Sequence, residues 1–274
     1  LACEIVSVDA SMVYKGLDIG SAKPSAAILM QTLHRLVDIR EPQDSYSVGN
    51  FCVDAQAAIT QINAQGKIAL LTGGSMMYFH ALEYGLAQLP PANPQVRAQL
   101  QDLAAEKGWE YLHSELIRVD PQSAQRIHAN DTQRLQRALE VYQTCGKTLS
   151  QLRTQRVGLE AQLVKIHLDL DKDTVNQRIE QRFDKMLDMG LVDEVKQLFN
   201  NPQLHADLPA IKAVNYRQVW QYLAGELTHE QMRERAIIAT RQLAKRQRTW
   251  MRSWQDTHVC INYKDIYKVC SEIV

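Results

Sequence analysis

Over the first eighty residues, short apolar runs that stop at a polar residue alternate with longer stretches of helical period. Ile5-Val6-Ser7-Val8-Asp9 has the continuous apolar character of a strand buried on both faces, and Leu36-Val37-Asp38-Ile39 repeats it. A helical pattern over 48–64 closes at Gly66. Lys67-Ile68-Ala69-Leu70-Leu71-Thr72 then predicts another strand, which runs into Gly73-Gly74-Ser75 and a helix to about Tyr84. This order of strand, helix, strand, glycine turn and helix predicts an α/β domain with a parallel sheet, whose ligands sit at the carboxyl ends of the strands. Asp9 and Ser75 both fall at such ends.

The pattern changes at Leu89-Pro90-Pro91-Ala92-Asn93-Pro94, where proline cannot continue a helix. From there to about residue 156 the periodicity is helical throughout, with helices expected over 94–107, 109–118, 121–127 and 132–142 and Gly146 as a C-cap. Val164-Lys165-Ile166-His167-Leu168-Asp169-Leu170 predicts a strand that returns to the sheet, so the helical block is an insertion. Helices are expected again over 173–200, 212–223 and 228–254, then a strand over 258–261 and a short terminal helix.

Composition bounds the chemistry. A chain of 274 residues, 45% hydrophobic and 23% charged, is long enough for a sizeable core. Its five cysteines, Cys3, Cys52, Cys145, Cys260 and Cys270, are scattered and form no C-x-x-C pair, which disfavours a disulfide framework or a zinc site and points to a reducing, cytoplasmic setting. Glu4 and Asp9 interrupt the first apolar stretch, and no later run has the length of a membrane span.

The formal net charge is zero, yet between residues 233 and 252 Arg233, Arg235, Arg241, Lys245, Arg246, Arg248 and Arg252 face the single acid Glu234. Such a local field suits phosphates. On a helix, Arg241, Lys245, Arg248 and Arg252 share a face, while Leu243, Trp250 and Trp254 lie on another arc suited to core packing. A solvated charged surface is the plainer account of the same run. Gly146-Lys147-Thr148 imitates the tail of a phosphate-binding P-loop, but Val141 stands where the pattern needs glycine and a helix precedes it.

Several ordered blocks carry a family resemblance. Ser7-Val8-Asp9-Ala10-Ser11-Met12-Val13-Tyr14-Lys15-Gly16-Leu17-Asp18-Ile19-Gly20-Ser21-Ala22-Lys23-Pro24 is similar to the S-V-D-S-x-x-x-Y-x-G-x-D-I-G-T-A-K-P signature of the tRNA dimethylallyltransferases. His34-Arg35-Leu36-Val37-Asp38-Ile39, Gly73-Gly74-Ser75-Met76-Met77-Tyr78, Gln133-Arg134-Leu135-Gln136-Arg137-Ala138-Leu139-Glu140-Val141, Tyr216-Arg217-Gln218 and Arg241-Gln242-Leu243-Ala244-Lys245-Arg246-Gln247 with Thr249-Trp250 resemble that family in the same order. The resemblance implies a P-loop NTPase-like parallel sheet with flanking helices. It also implies a catalytic core in two parts, 1–93 and 157–274, around an all-helical tRNA-binding insertion at 94–156.

The implied reaction moves a dimethylallyl group from dimethylallyl diphosphate to N6 of adenosine 37 beside the tRNA anticodon, with Mg2+ as the family's metal. Asp9 matches the family's base, which suits a weakly nucleophilic amine. Ser75 stands where the family usually has Thr, and Arg217 matches an arginine expected at the diphosphate. Contacts to the anticodon stem–loop carry over to Asp9, Ala10, Ser11, Met12, Ser75, Arg97, Gln133, Arg134, Leu135, Gln136 and Arg137. They carry over also to Lys212, Ala213, Val214, Asn215, Tyr216 and Arg217, and to Lys245, Arg246, Gln247, Arg248, Thr249, Trp250, Met251 and Arg252.

Two departures bear on these expectations. Asn215 replaces a family glycine, and asparagine is the least costly substitute at positive φ. The family's opening strand, P-loop and helix have no counterpart before Leu1, and Leu1-Ala2-Cys3 resembles the end of that helix, so the expectation is a chain that lacks its main phosphate cradle. A monomer, with no membrane partner, is expected. Three alternatives stay open: an adenylate isopentenyltransferase acting on free nucleotides, a P-loop small-molecule kinase, and a catalytically inert tRNA-binding fragment.

Overall fold

A computed structural model of the chain describes residues 2–153 and 158–272. The chain forms two compact units, one made of residues 1–80 and 160–274, the other of residues 81–159. The expected boundary at 156 lies outside the described residues.

The first unit opens with β1 (Cys3–Val8), α1 (Ala26–Gln31), β2 (His34–Arg35), α2 (Val48–Ala64), β3 (Ile68–Gly73) and α3 (Met76–Tyr84), the last of which runs on into the second unit. Both partners of β1 are parallel to it, in the order β2-β1-β3, with Cys3 opposite Ile68 and Val8 opposite Gly73. Parallel neighbours need crossovers, and α1 and α2 supply them. Ser47 caps α2 by accepting from the Asn50 N–H, and Phe51, Ala55, Ala58, Ile59 and Ile62 bury its inner stripe. Phe51 stacks on Tyr78 of α3 with ring centroids 4.3 Å apart, which ties α3 to α2.

Two expectations at the start of the chain are corrected. Cys3 belongs to β1 and the Ala2 carbonyl accepts from the Ile68 N–H, so Ala2-Cys3 is extended and not a helix end, while Leu1 lies outside the described residues. The strand expected over 36–39 is His34–Arg35 instead. Leu36 and Asp38 take positive φ of 64° and 55°, and the N–H groups of Asp38, Ile39 and Arg40 go to the carbonyls of Met12 and Val13, not to a strand of the sheet.

The second unit, by itself, is all helix between Pro94 and Leu152: α4 (Pro94–Lys107), α5 (Trp109–Val119), α6 (Pro121–Ala124), α7 (Thr132–Cys145) and α8 (Leu149–Leu152). Its core gathers Leu100, Leu112, Leu116, Ile127, Leu135 and Leu139 from i, i+3 and i+4 positions. Asn93, Asp120 and Asp131 cap α4, α6 and α7, and Gly146 ends α7 in the left-handed conformation expected of it. Glu140 is fully buried, where burial pushes its carboxyl up. The guanidinium groups of Arg97 and Arg137 and the Asn93 N–H outweigh that and hold it below the usual carboxylate range.

The first unit resumes with β4 (Lys165–Leu168), α9 (Lys172–Asp188), α10 (Leu191–Phe199), α11 (Tyr216–Leu223), α12 (His229–Met251), β5 (Thr257–Cys260) and α13 (Tyr263–Glu272). The single helix expected over 173–200 is two, because Gly190 at φ 95° turns the chain between α9 and α10. Nor does β4 return to the first sheet: among the described residues it pairs, in parallel, with β5 alone.

Candidate active site

The carboxyl ends of β1 and β3 are stitched into one turn. Gly73 lies opposite Val8, so close that a Cβ on it would sit 2.1 Å from the Val8 carbonyl oxygen. Glycine is the only residue that fits. Two residues on, the Ser75 N–H donates to that same Val8 carbonyl (3.1 Å), while the Ser75 Oγ accepts the Ala10 N–H at 3.0 Å. Asp9 and Ser75, 66 positions apart in the sequence, are thereby held on adjoining backbones. The Ser75 hydroxyl hydrogen is left for a further acceptor.

Asp9 Oδ1 accepts the N–H groups of Ser11 (2.7 Å) and Met12 (3.1 Å), so the carboxylate shapes its own turn. Its Oδ2 has no hydrogen-bond partner among the described residues. Nearby, burial first, and then the charges of Tyr14 and Asp9, push the Tyr78 phenol up, which keeps it protonated.

The segment after Asp9 is tied down by Lys23 and Glu194, to which the sequence reading gave no role, and by Asn215 and Tyr216, which it did single out. Lys23 is almost fully buried, and its Nζ donates to the Tyr14 carbonyl (2.9 Å), Asp18 (2.6 Å) and Asp38 (2.5 Å). Glu194, in the first turn of α10, accepts the N–H groups of Asp18 (3.2 Å), Ile19 (2.7 Å) and Gly20 (3.2 Å) and the Tyr216 hydroxyl (2.6 Å). Asn215 has φ 76° and ψ −50°, close to a strained γ-turn, and its Nδ2 donates to the Gly20 carbonyl at 2.9 Å. Its N–H donates to Gln218 Oε1 at 2.9 Å. Asn215 thus takes the positive φ at which asparagine is the least costly replacement for glycine, and its side chain adds a tie that glycine cannot make.

These ties fix the first turn of α11, where Arg217 is exposed and its backbone N–H bonds the Ala213 carbonyl at 3.0 Å. Tyr216 is fully buried, so the expectation of an RNA contact from its side chain is corrected to a core role. Lys212 pairs with Asp207 at 3.0 Å on an exposed surface, and Ala213 and Val214 are half-buried.

The basic helix α12 divides into three kinds of residue. Arg233 forms a two-pronged pair with Asp184 at 2.7 and 2.8 Å, and Arg241 pairs with Glu180, so α9 neutralises two of the seven cations. Arg241 therefore leaves the phosphate-facing set. Lys245, Arg246, Arg248 and Arg252 have no ion-pair partner among the described residues. Trp250 packs edge-on against His80 (5.3 Å) and Trp254, which lies beyond the end of α12, against Phe79 (5.7 Å), and both rings are half-buried. Thr249 bonds the Lys245 carbonyl, Met251 is half-buried, and the Gln247 Nε2 donates to the Gly74 carbonyl at 2.9 Å.

In the helical unit, Arg97 and Arg137 share the buried Glu140, and Arg137 also donates to the Pro90 carbonyl at 2.6 Å. Arg134 is paired loosely with Asp131 and stays largely exposed; Gln136 bonds the Arg97 carbonyl, and Gln133 is exposed. Leu135 is entirely in the core, which corrects its expected side-chain contact with RNA.

Among the described residues no three His, Cys, Asp or Glu side chains are placed to hold a metal, and no helix is long and apolar enough to cross a membrane.

The fold and its strand-end turn define an α/β protein of the P-loop NTPase-like class with an all-helical second unit. The profile of the IPP transferase family matches residues 12–254, and the chain belongs to that family. A tRNA dimethylallyltransferase of Thioalkalivibrio sulfidiphilus (strain HL-EbGR7) is 52% identical over 262 residues, which cover 94% of this chain and 82% of the relative. Among solved structures, the full-length tRNA isopentenylpyrophosphate transferase of Bacillus halodurans superposes with a TM-score of 0.70 at 31% identity, covering 98% of this chain and 86% of that one. The tRNA delta(2)-isopentenylpyrophosphate transferase of Staphylococcus epidermidis gives 0.67 at 28% identity, with coverages of 98% and 90%.

Proposed function

We propose that this chain transfers a dimethylallyl group from dimethylallyl diphosphate to N6 of adenosine 37 in a tRNA anticodon stem–loop. The family membership supports the class of reaction. The observation that carries the site is the stitched turn, in which the backbone next to Asp9 is bonded to the Ser75 hydroxyl while Asp9 Oδ2 has no partner among the described residues. The N6 lone pair forms a bond to C1 of the donor as the bond from C1 to the diphosphate oxygen breaks. The electron pair leaves with diphosphate, and the N6 proton passes to Asp9 Oδ2. Ser75 and Arg217 serve as donors to the diphosphate. Adenosine must leave its stack to reach the turn, which single-stranded loops permit at small cost. Five free cysteines agree with a reducing, cytoplasmic setting, and the proposal takes the protein as a monomer.

Incubation with labelled dimethylallyl diphosphate and, separately, tRNA, AMP and ATP tests the proposal. Label is expected in tRNA alone. Label in AMP or ATP would make the chain an adenylate isopentenyltransferase, phosphoryl transfer would make it a kinase, and tRNA binding without transfer would leave only the binding fragment.

The unpaired cations of α12 make a separate prediction. If Lys245, Arg248 and Arg252 meet phosphates, the triple change to Ala should lower the slope of log affinity against log salt by about three, one per lost contact. tRNA binding at several salt concentrations measures this, and an unchanged slope would reduce the stripe to solvated surface.

For Ser75, replacement by Ala removes the acceptor for the Ala10 N–H and is expected to cost about tenfold in single-turnover rate. Replacement by Thr keeps the hydroxyl and should restore nearly the full rate. Equal rates for the Ala and Ser forms would remove the hydroxyl from the chemistry.

A further inference from the structure

We infer that Gln247 is a positioning residue for the strand-end turn and not an RNA contact, an inference that rests on the proposed function. It lies in the middle of the basic run, where Lys245, Arg246 and Arg252 are exposed, while Gln247, like Arg248 beside it, is half-buried and spends its amide on the Gly74 backbone. The Gln247 Nε2 donates to the Gly74 carbonyl at 2.9 Å. That carbonyl also accepts the Met76 N–H at 3.0 Å, so both of its lone pairs are used.

Gly74 itself has no room for a side chain on this side. A Cβ there would come within 2.3 Å of the Gln247 Nε2, a clash with the end of a side chain that can swing away. The peptide between Gly74 and Ser75 is thus held by α12 on one side and by β1 on the other, through the Ser75 N–H to Val8 and the Ala10 N–H to Ser75. Removing the amide frees one wall of the turn that presents the Ser75 hydroxyl. Because the donor comes from the helix that carries the unpaired cations, the same element that meets polyanion also sets the geometry of the reacting turn.

Gln247→Met keeps the length and helix propensity of the side chain and deletes the donor. Gly74→Ala keeps the glutamine but pushes its amide out of reach. Each is expected to lower the rate of transfer at saturating tRNA and donor by about tenfold, the scale of one lost hydrogen bond to a backbone group in a catalytic turn. tRNA affinity should stay within twofold and the salt slope unchanged. Since both changes break the same bond, the double variant should be no slower than the slower single one.

A loss of tRNA affinity with an unaltered saturated rate would make Gln247 an RNA contact and overturn the inference. Multiplying rate losses in the double variant would overturn it too, as would a lowered melting temperature with a normal rate in the folded protein. If the unaltered chain puts no label into tRNA, the functional reading has failed instead, and the binding measurements on the two variants still decide whether Gln247 touches RNA.

Discussion

Asp9→Asn is expected to slow single-turnover transfer about a hundredfold or more, the scale associated with losing a general base. The substitution isolates the chemistry from the fold. Asparagine keeps an Oδ1 that accepts the Ser11 and Met12 N–H groups, so the turn retains its two internal bonds. What disappears is the basicity of Oδ2, which has no partner among the described residues. Accordingly, thermal stability and tRNA affinity should be nearly unchanged. Rapid-quench measurement of label reaching tRNA, with enzyme in excess, gives the rate directly. A variant as fast as the parent would remove Asp9 from the chemistry and leave it as a turn former.

Glu194→Ala should produce the largest loss of stability, about 3 kcal/mol or more. The carboxylate serves four donors, of which the Gly20 N–H and the Tyr216 hydroxyl are buried, and a buried donor left without an acceptor costs about 1–3 kcal/mol. The Asp18 N–H is exposed and can turn to water, so it adds little. Glu194→Gln retains one carbonyl oxygen and should fall between the parent and the alanine form. Urea unfolding followed by tryptophan fluorescence reads the difference, since Trp220 lies in α11. An alanine variant within about half a kcal/mol of the parent would show that the segment 18–20 is held by other means.

Much of the framework was legible because it is written in local periodicity. The helical pattern of α2 and the Gly146 cap of α7 stand in the sequence as spacing and as a glycine at a fixed offset. The failures have physical causes. Leu36-Val37-Asp38-Ile39 is apolar enough for a strand, but positive φ at two of its residues is set by tertiary bonds to Met12 and Val13 that no local pattern announces. Residues 173–200 keep helical amphipathicity across Gly190, so the turn between α9 and α10 hides inside a continuous pattern.

At the site, Asp9 and Ser75 could be placed at strand ends because the glycine turn marks one of them. The acids that claim Arg233 and Arg241 sit on another helix, so counting charges along α12 overstates its free cations. Glu194 and the inward amide of Gln247 had no local signal: the first acts across a long sequence gap and the second against a backbone atom.

The tie of residues 18–20 to Glu194 and Asn215 sets an order of events during synthesis. Those segments are 174 to 195 positions apart, so on a ribosome adding about 5–20 residues per second the loop emerges about ten to forty seconds before its anchors exist. The helical unit, whose core residues all lie between 100 and 149, is complete well before that. During the interval the Asp18, Ile19 and Gly20 amides are open to water and to capture by other chains. A nascent chain stalled before residue 194 should therefore carry a folded helical unit beside an N-terminal loop that proteases can cut, and release of the stall should close that loop in a single late step.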